Sequence, residues 1–247
     1  MLDIIIPVYD EAENIESCLR EIASKVTVPI RVTVVYDFKE DNTIPVVEKL
    51  SPILPFEVKL AHNDLGRGPV NAIKKGFEMA KGEAVLVTMA DLSDDMAIVD
   101  LMYRHIEDGA DVVCGSRYMR GGRQIGGPLI KKLMSRTAGL TLHWLAGIPT
   151  KDATNNFKMY SKRARDGIDI KSNRGFEIGL EMVVKAHKYG MRIVEIPSVW
   201  RDRVGGDSKF RLLQWLPAYL RWYWFALTRG KVEGRGKISG HKDSSLS

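Results

Sequence analysis

The first ten residues after the initial methionine read Leu2-Asp3-Ile4-Ile5-Ile6-Pro7-Val8-Tyr9-Asp10-Glu11, and the fold turns on this stretch. From Leu2 to Val8 every residue but Asp3 is apolar. An unbroken apolar run, without alternation, is what a strand covered on both faces requires. Ile15, Leu19, Ile22 and Val26 follow at i, i+4, i+7 spacing, which marks one side of a helix. The alternation continues outward from there. Arg31–Tyr36 is rich in β-branched residues, Thr43–Leu50 has helical spacing, and Phe56–Ala61 reads as a third strand. Pro69–Lys81 is a helix ended by Gly82, and Ala84–Met89 is a fourth strand. Asp95–Glu107 is a helix ended by Gly109, and Asp111–Gly115 is a fifth strand. Strands alternating with helices predict an α/β fold, a mostly parallel sheet with helices on both faces. Ligands of such sheets bind at the carboxyl ends of the strands.

The second half loses this rhythm. Gly121–Gly127 holds four glycines and no periodicity, so it reads as a loop. Pro128–Leu145 is helical and mixes Lys131, Lys132 and Arg136 with Leu129, Leu133, Leu140 and Trp144. Phe157–Tyr160 and Arg192–Ile196 are short strands flanking a helix, Phe176–Tyr189. Phe210–Thr228 is dense in aromatics: Leu213, Leu216, Leu220, Trp224 and Leu227 share one helical face, and Arg211, Gln214, Ala218 and Arg221 share another. Such a helix resembles one lying in the headgroup region of a membrane, the alternative being an amphipathic helix packed on the domain or on a dimer partner. The expected organisation is a catalytic domain over residues 1–209, an amphipathic segment over 210–228 and a disordered basic tail over 229–247.

The chain has 247 residues and a net charge of +6, a balance that favours an anionic partner. It carries no recognised nucleic-acid motif and its charge is spread along the chain, which excludes nucleic acid as that partner. No run of 18 apolar residues is present. The start lacks the basic stretch and small-residue cleavage site of a signal peptide, so a cytoplasmic location is expected. The two cysteines, Cys18 and Cys114, fall in a helix and a strand and are expected to be buried, reduced thiols.

Chemistry is therefore sought at the strand ends. The first ends in Pro7, Tyr9 and Glu11, where carboxylates also complement a helix dipole. The second ends in Asp37, placed to accept hydrogen bonds from a nucleobase or to form an Asx turn. The fourth ends in Met89-Ala90-Asp91-Leu92-Ser93-Asp94-Asp95, whose carboxylates suit a hard divalent cation or a helix cap. The fifth runs into Arg117, a cation able to neutralise a diphosphate.

In that order these motifs resemble family-2 glycosyltransferases of the GT-A fold, and most of all the dolichol-phosphate mannose synthase branch that glycosylates polyprenyl phosphates. The likeness spans about residues 3–209. It is carried by Ile4 to Glu11, by Asp37 with Asp41 and Thr43, and by Leu65-Gly66-Arg67-Gly68. It continues through Ala90-Asp91-Leu92-Ser93, Gly115-Ser116-Arg117-Tyr118, Asp152-Ala153-Thr154 and Phe157-Lys158. It ends with Gly175-Phe176, Glu177, Glu181, Glu195-Ile196-Pro197, Arg203, Gly206, Ser208 and Lys209. The resemblance implies an inverting hexosyltransferase, with GDP-mannose the favoured donor and a polyprenyl phosphate the acceptor at the cytoplasmic face of a membrane. Pro7, Tyr9, Glu11, Asp37, Ala90, Asp91 and Ser93 would hold the nucleotide sugar, with Mg²⁺ or Mn²⁺ at Asp91. Arg117, Lys131, Arg136, Arg203, Ser208 and Lys209 would hold the acceptor phosphate or the diphosphate, and the loop at Gly121–Gly127 would close over the site. A lipid phosphate is already ionised and needs no base, whereas a hydroxyl acceptor would need one, for which Asp152 is the candidate. The family's Asp-x-Asp metal motif is here Met89-Ala90-Asp91, and methionine does not bind a hard cation. Either Asp91 suffices or Asp94 or Asp95 helps. Two alternatives stay open: a soluble glycosyltransferase with a hydroxyl acceptor, and a non-catalytic subunit that binds a nucleotide sugar.

Overall fold

The computed structural model describes residues 1–202 and 212–228. Its first half is β1 (Leu2–Val8), α1 (Ala12–Lys25), β2 (Ile30–Tyr36), α2 (Thr43–Leu50), β3 (Glu57–His62), α3 (Pro69–Met79), β4 (Ala84–Val87), α4 (Val99–Glu107) and β5 (Val112–Ser116). Then come β6 (Arg123–Ile125), α5 (Leu129–Ala146), β7 (Lys158–Ser161), α6 (Lys162–Gly167), α7 (Ile178–Lys188), β8 (Ile193–Pro197), β9 (Val199–Arg201) and α8 (Leu212–Leu227). Seven strands form one sheet in the order β3-β2-β1-β4-β7-β5-β8, and β6 pairs with β9 in a separate ribbon.

β1 shows why the apolar run makes this fold. Side chains along a strand point alternately to opposite faces. Ile4 and Ile6 enter the layer formed with Ile15, Leu19 and Ile22 of α1 and with Val99 and Met102 of α4. Ile5 enters the opposite layer, with Ile73 and Phe77 of α3 and with Val183 of α7. Both layers are closed, and Ile4, Ile5 and Ile6 are all 0% exposed. α3 approaches β1 through Gly76, where a Cβ would stand 2.2 Å from Ile5 Cγ2. Asp3, the one charge in the run, is 1% exposed and held by the Lys81 and Gly82 amides at 2.7 and 2.6 Å and by Arg31 at 2.5 Å.

Three features depart from expectation. β7 runs antiparallel to both β4 and β5, so the sheet is parallel except for one strand near its middle. A strand of four residues, Lys158-Met159-Tyr160-Ser161, does not encode direction. The glycine-rich stretch is not structureless, since β6 lies within it and pairs in parallel with β9. α8 turns Trp215, Trp222 and Ala226 inward against the domain, while Leu220 and Trp224 of the leucine stripe stay exposed. The tail over 229–247, and the join at 203–211, lie outside the described residues.

Candidate active site

The carboxyl edge of β1, β2 and β4 is tied together by its own loops. The amides of Asp10, Glu11 and Ala12, at the start of α1, lack intrahelical partners. They are capped from the following loop instead. Asp10 donates to the Asp41 carboxylate (3.2 Å), Glu11 to Thr43 Oγ1 (2.9 Å) and Ala12 to Asn42 Oδ1 (3.1 Å). Asp41 and Thr43 thus shape the edge without facing a ligand. Asp37 accepts from Asn63 Nδ2 at 2.7 Å and from the Gly68 amide at 2.8 Å, so it pins the start of α3 while lying on the cavity wall. Two non-glycine residues among those described have positive φ, Asp10 at 54° and Leu92 at 60°. They follow β1 and β4, which are neighbours in the sheet. Leucine in this region costs about 1–2 kcal/mol, and such strain is a feature of ligand-shaping turns.

These loops border one cavity of about 1170 Å³. Pro7, Tyr9, Glu11, Asp37, Ala90, Asp91 and Ser93, the residues assigned to the donor, all line it. So do Arg117 and Lys131, two of the residues expected at the acceptor phosphate or the diphosphate. Arg136 does not: it is exposed and absent from the wall. Helical rotation explains this, because Arg136 shares the outward side of α5 with Leu129 and Leu133, whereas Lys131, Ser135 and Ala138 share the inward side. Arg203, Ser208 and Lys209 lie outside the described residues.

Asp152 is also displaced from its expected place. It is 0% exposed and lies behind Arg117, off the cavity wall. Its Oδ2 accepts from Arg117 Nε at 2.7 Å and from the Arg117 amide at 3.0 Å, and its Oδ1 accepts from Arg117 Nη2 at 2.7 Å. A carboxylate gripped on both oxygens is poorly placed to take a proton from a substrate. Its geometry fits a fixed anion that orients the Arg117 guanidinium. A second buried cation, Lys158, is 0% exposed and donates to the Ala153 carbonyl at 3.1 Å. Burial pulls its pKa below the usual lysine value.

Asp91 and Asp94 both line the cavity. Asp94 accepts from Thr88 Oγ1 at 2.9 Å. Burial, and then the neighbouring Asp91 charge, push its carboxyl up to about 7. Among the described residues no group of three His, Cys, Asp or Glu side chains is close enough to hold a metal by itself. The oxygen-only donors and their concentrated negative charge fit a hard divalent cation that completes its shell with substrate phosphate oxygens and water. Met89 also lines the cavity, and its amide lies 3.4 Å from Asp94 Oδ2.

A family model described as glycosyl transferase family 2 matches residues 3–167. The chain belongs to this family. A dolichol-phosphate mannosyltransferase of Pyrococcus furiosus is 29% identical over 215 residues, which is 85% of this chain and 59% of that protein. The chain thus spans under two thirds of that relative's length. A polyprenol monophosphomannose synthase of Mycolicibacterium smegmatis is 28% identical over 211 residues, 83% of this chain and 79% of that one. Among solved structures, glucosyl-3-phosphoglycerate synthase of Mycobacterium tuberculosis, in complex with Mn²⁺, UDP and glucosyl-3-phosphoglycerate, superposes with a TM-score of 0.67. The identity there is 14%, covering 92% of this chain and 78% of that chain. That likeness bears out the GT-A fold.

The motifs of a family-2 glycosyltransferase led to one wall of the site and missed another. Phe176, Trp200, Trp215 and Tyr219 line the far side of the cavity. The aromatic density of 210–228 is a signal for the last two. Their approach to a site built before residue 120 depends on tertiary packing that no local pattern carries.

Proposed function

We propose that this glycosyltransferase moves a hexose, mannose from GDP-mannose being the favoured case, to a polyprenyl phosphate with inversion at the anomeric carbon. One observation carries this reading. A single cavity joins an acidic strand edge suited to a metal-bound diphosphate, the cations Arg117 and Lys131, and an apolar wall of Phe176, Trp215 and Tyr219. The cations match an acceptor phosphate and the apolar wall matches the chain attached to it. The names of the Pyrococcus and Mycolicibacterium relatives support the same acceptor class.

In this reading Pro7, Tyr9, Glu11 and Asp37 hold the nucleoside, and Ala90, Asp91 and Ser93 hold the diphosphate and sugar. Asp91 would hold a divalent cation, Mg²⁺ or Mn²⁺, which would supply charge neutralisation for the departing diphosphate. Arg117, fixed by Asp152, and Lys131 orient the acceptor phosphate for in-line attack. Because that phosphate is ionised at neutral pH, positioning replaces proton abstraction. The engagement of Asp152 by Arg117 weighs against a hydroxyl acceptor, which would need a free base.

The proposed setting is a membrane surface. No helix among the described residues is long and apolar enough to cross a bilayer. Yet Leu129, Ile130, Leu133 and Trp144 of α5 and Leu220 and Trp224 of α8 are exposed, the first at 80%. Such a patch, with Lys131, Lys132 and Arg221 near it in sequence, suits contact with an anionic headgroup layer.

The deciding experiment offers GDP-mannose, UDP-glucose and other nucleotide sugars, with and without polyprenyl phosphate, in Mg²⁺, Mn²⁺ or EDTA. Transfer to the lipid that is lost in EDTA and in Asp91→Asn is expected. Donor binding without lipid transfer would redirect the search to another acceptor. Absence of binding to any nucleotide sugar would overturn the donor assignment itself.

A further inference from the structure

The apolar end of the cavity is assembled from parts that no strand carries. Phe176 comes from the segment between α6 and α7, and Trp215 and Tyr219 come from α8. Phe176 meets Trp215 edge to face at 5.5 Å. Gly175 leaves room for the indole, since a Cβ there would stand 2.6 Å from the ring.

The segment before α7 is clamped on both sides. Immediately before α7, the fully buried Glu177 accepts the amides of Asn173, Arg174 and Gly175 at 3.2, 2.8 and 2.6 Å. Glu181, also fully buried, accepts those of Lys171 and Ser172 at 2.6 and 2.7 Å. Ser172 then joins three helices. Its amide binds Glu181 of α7, its carbonyl accepts from Lys74 Nζ of α3 at 2.7 Å, and its hydroxyl accepts from Trp222 Nε1 of α8 at 3.0 Å. Ser172 is 2% exposed and Trp222 4%. The Lys185 ammonium stands 4.8 Å from the centre of the Trp222 ring. Apolar contact alone would hold α8 on the domain. A buried directional bond adds a defined rotation and register, because any other setting strands an indole N–H away from water.

We propose that the Ser172–Trp222 contact is a positioning joint for the acceptor: it sets α8 against the segment before α7 so that Phe176 and Trp215 form a wall for the apolar portion next to the acceptor phosphate. This inference rests on the polyprenyl-phosphate reading above. Neither Ser172 nor Trp222 lines the cavity, so both act through Phe176 and Trp215. The donor end is built on β1, β2 and β4, and neither Ser172 nor Trp222 belongs to those strands or their loops.

The test is steady-state kinetics of the full chain with GDP-mannose and a short-chain prenyl phosphate. Ser172→Ala removes the acceptor of the bond, and Trp222→Phe removes its donor while keeping an aromatic ring. In each variant the prenyl-phosphate KM is expected to rise on the order of threefold to tenfold, the size of one lost buried hydrogen bond. The GDP-mannose KM is expected to stay at the wild-type value. If Ser172→Ala fails to fold, Trp222→Phe carries the same comparison. A parallel rise in both KM values, or no change in either, would overturn the joint. Wild-type protein that ignores prenyl phosphate would overturn the acceptor reading instead.

Discussion

Arg117 and Asp152 are individually unremarkable in the chain, and together they are the most constrained charges beside the cavity. The Asp152 side chain is 0% exposed and that of Arg117 11%. Removing one member of a buried pair leaves the other charged and uncompensated. Arg117→Ala is therefore expected to lower stability by about 3–5 kcal/mol, read from urea denaturation. Arg117→Met combined with Asp152→Leu should recover most of that loss, because the penalty belongs to the stranded charge. A single-variant loss below about 1 kcal/mol would mean that the pair behaves like an exposed one. Much at this scale was legible in advance. Asp91 and Arg117 stand where a strand ends, and strand ends can be read from periodicity. The partner of Arg117 could not be read, since Asp152 lies 35 residues further on and meets it only after the sheet closes. For the same reason Asp152 looked available as a base.

At the level of elements, the close approaches are the testable joints. Gly175→Ala would drive a methyl group to 2.6 Å from the Trp215 ring. Overpacking of this kind costs about 1–3 kcal/mol, and it should appear as a lower thermal midpoint together with a changed near-ultraviolet signal from the displaced indole. An unchanged signal would mean that α8 shifts without cost. The elements also show where pattern reading ran out. β1 declared itself because a strand buried on both faces is apolar throughout. β7 declared its existence but not its direction. β6 is three residues long, and its partner β9 lies in another part of the chain, so the intervening glycines looked like plain loop. In α8 the leucine face did not mark the side that packs on the domain: Trp215 and Trp222 are larger, and burying them removes more apolar surface from water.

For the molecule as a whole, two properties follow from what is inside and what is outside. Burial raises the thiols of Cys18 and Cys114, the latter up to about 12. In the unfolded chain both ionise near the ordinary value of 9.0. Their stabilising contribution is complete below that value and is lost as pH rises from it toward the folded values. Unfolding midpoints should therefore fall between about pH 9 and pH 11, and native protein should resist alkylation at pH 8 until denaturant is added. Rapid labelling of the native protein would contradict the burial. Outside, Leu129 and Leu133 are 80% and 67% exposed, so Leu129→Glu with Leu133→Glu should leave the thermal midpoint in place. The same pair should weaken co-sedimentation with anionic vesicles, and equal sedimentation by wild type and variant would remove α5 from the proposed contact.

The antiparallel strand has a consequence in time. β3, β2, β1 and β4 pair with one another and are complete once residue 87 has been made. β5 does not border β4; β7 lies between them, and its last residue is 161. A chain emerging from the ribosome can thus zip four strands early, while β5 waits with its edge unpaired for more than forty residues of further synthesis. The part of the cavity proposed to hold the nucleotide is in this sense older than the part proposed to hold the acceptor within every newly made molecule. A nascent chain halted before Asp152 would already carry Asp37 and Asp91 on a paired edge, with Arg117 still lacking the anion that will orient it.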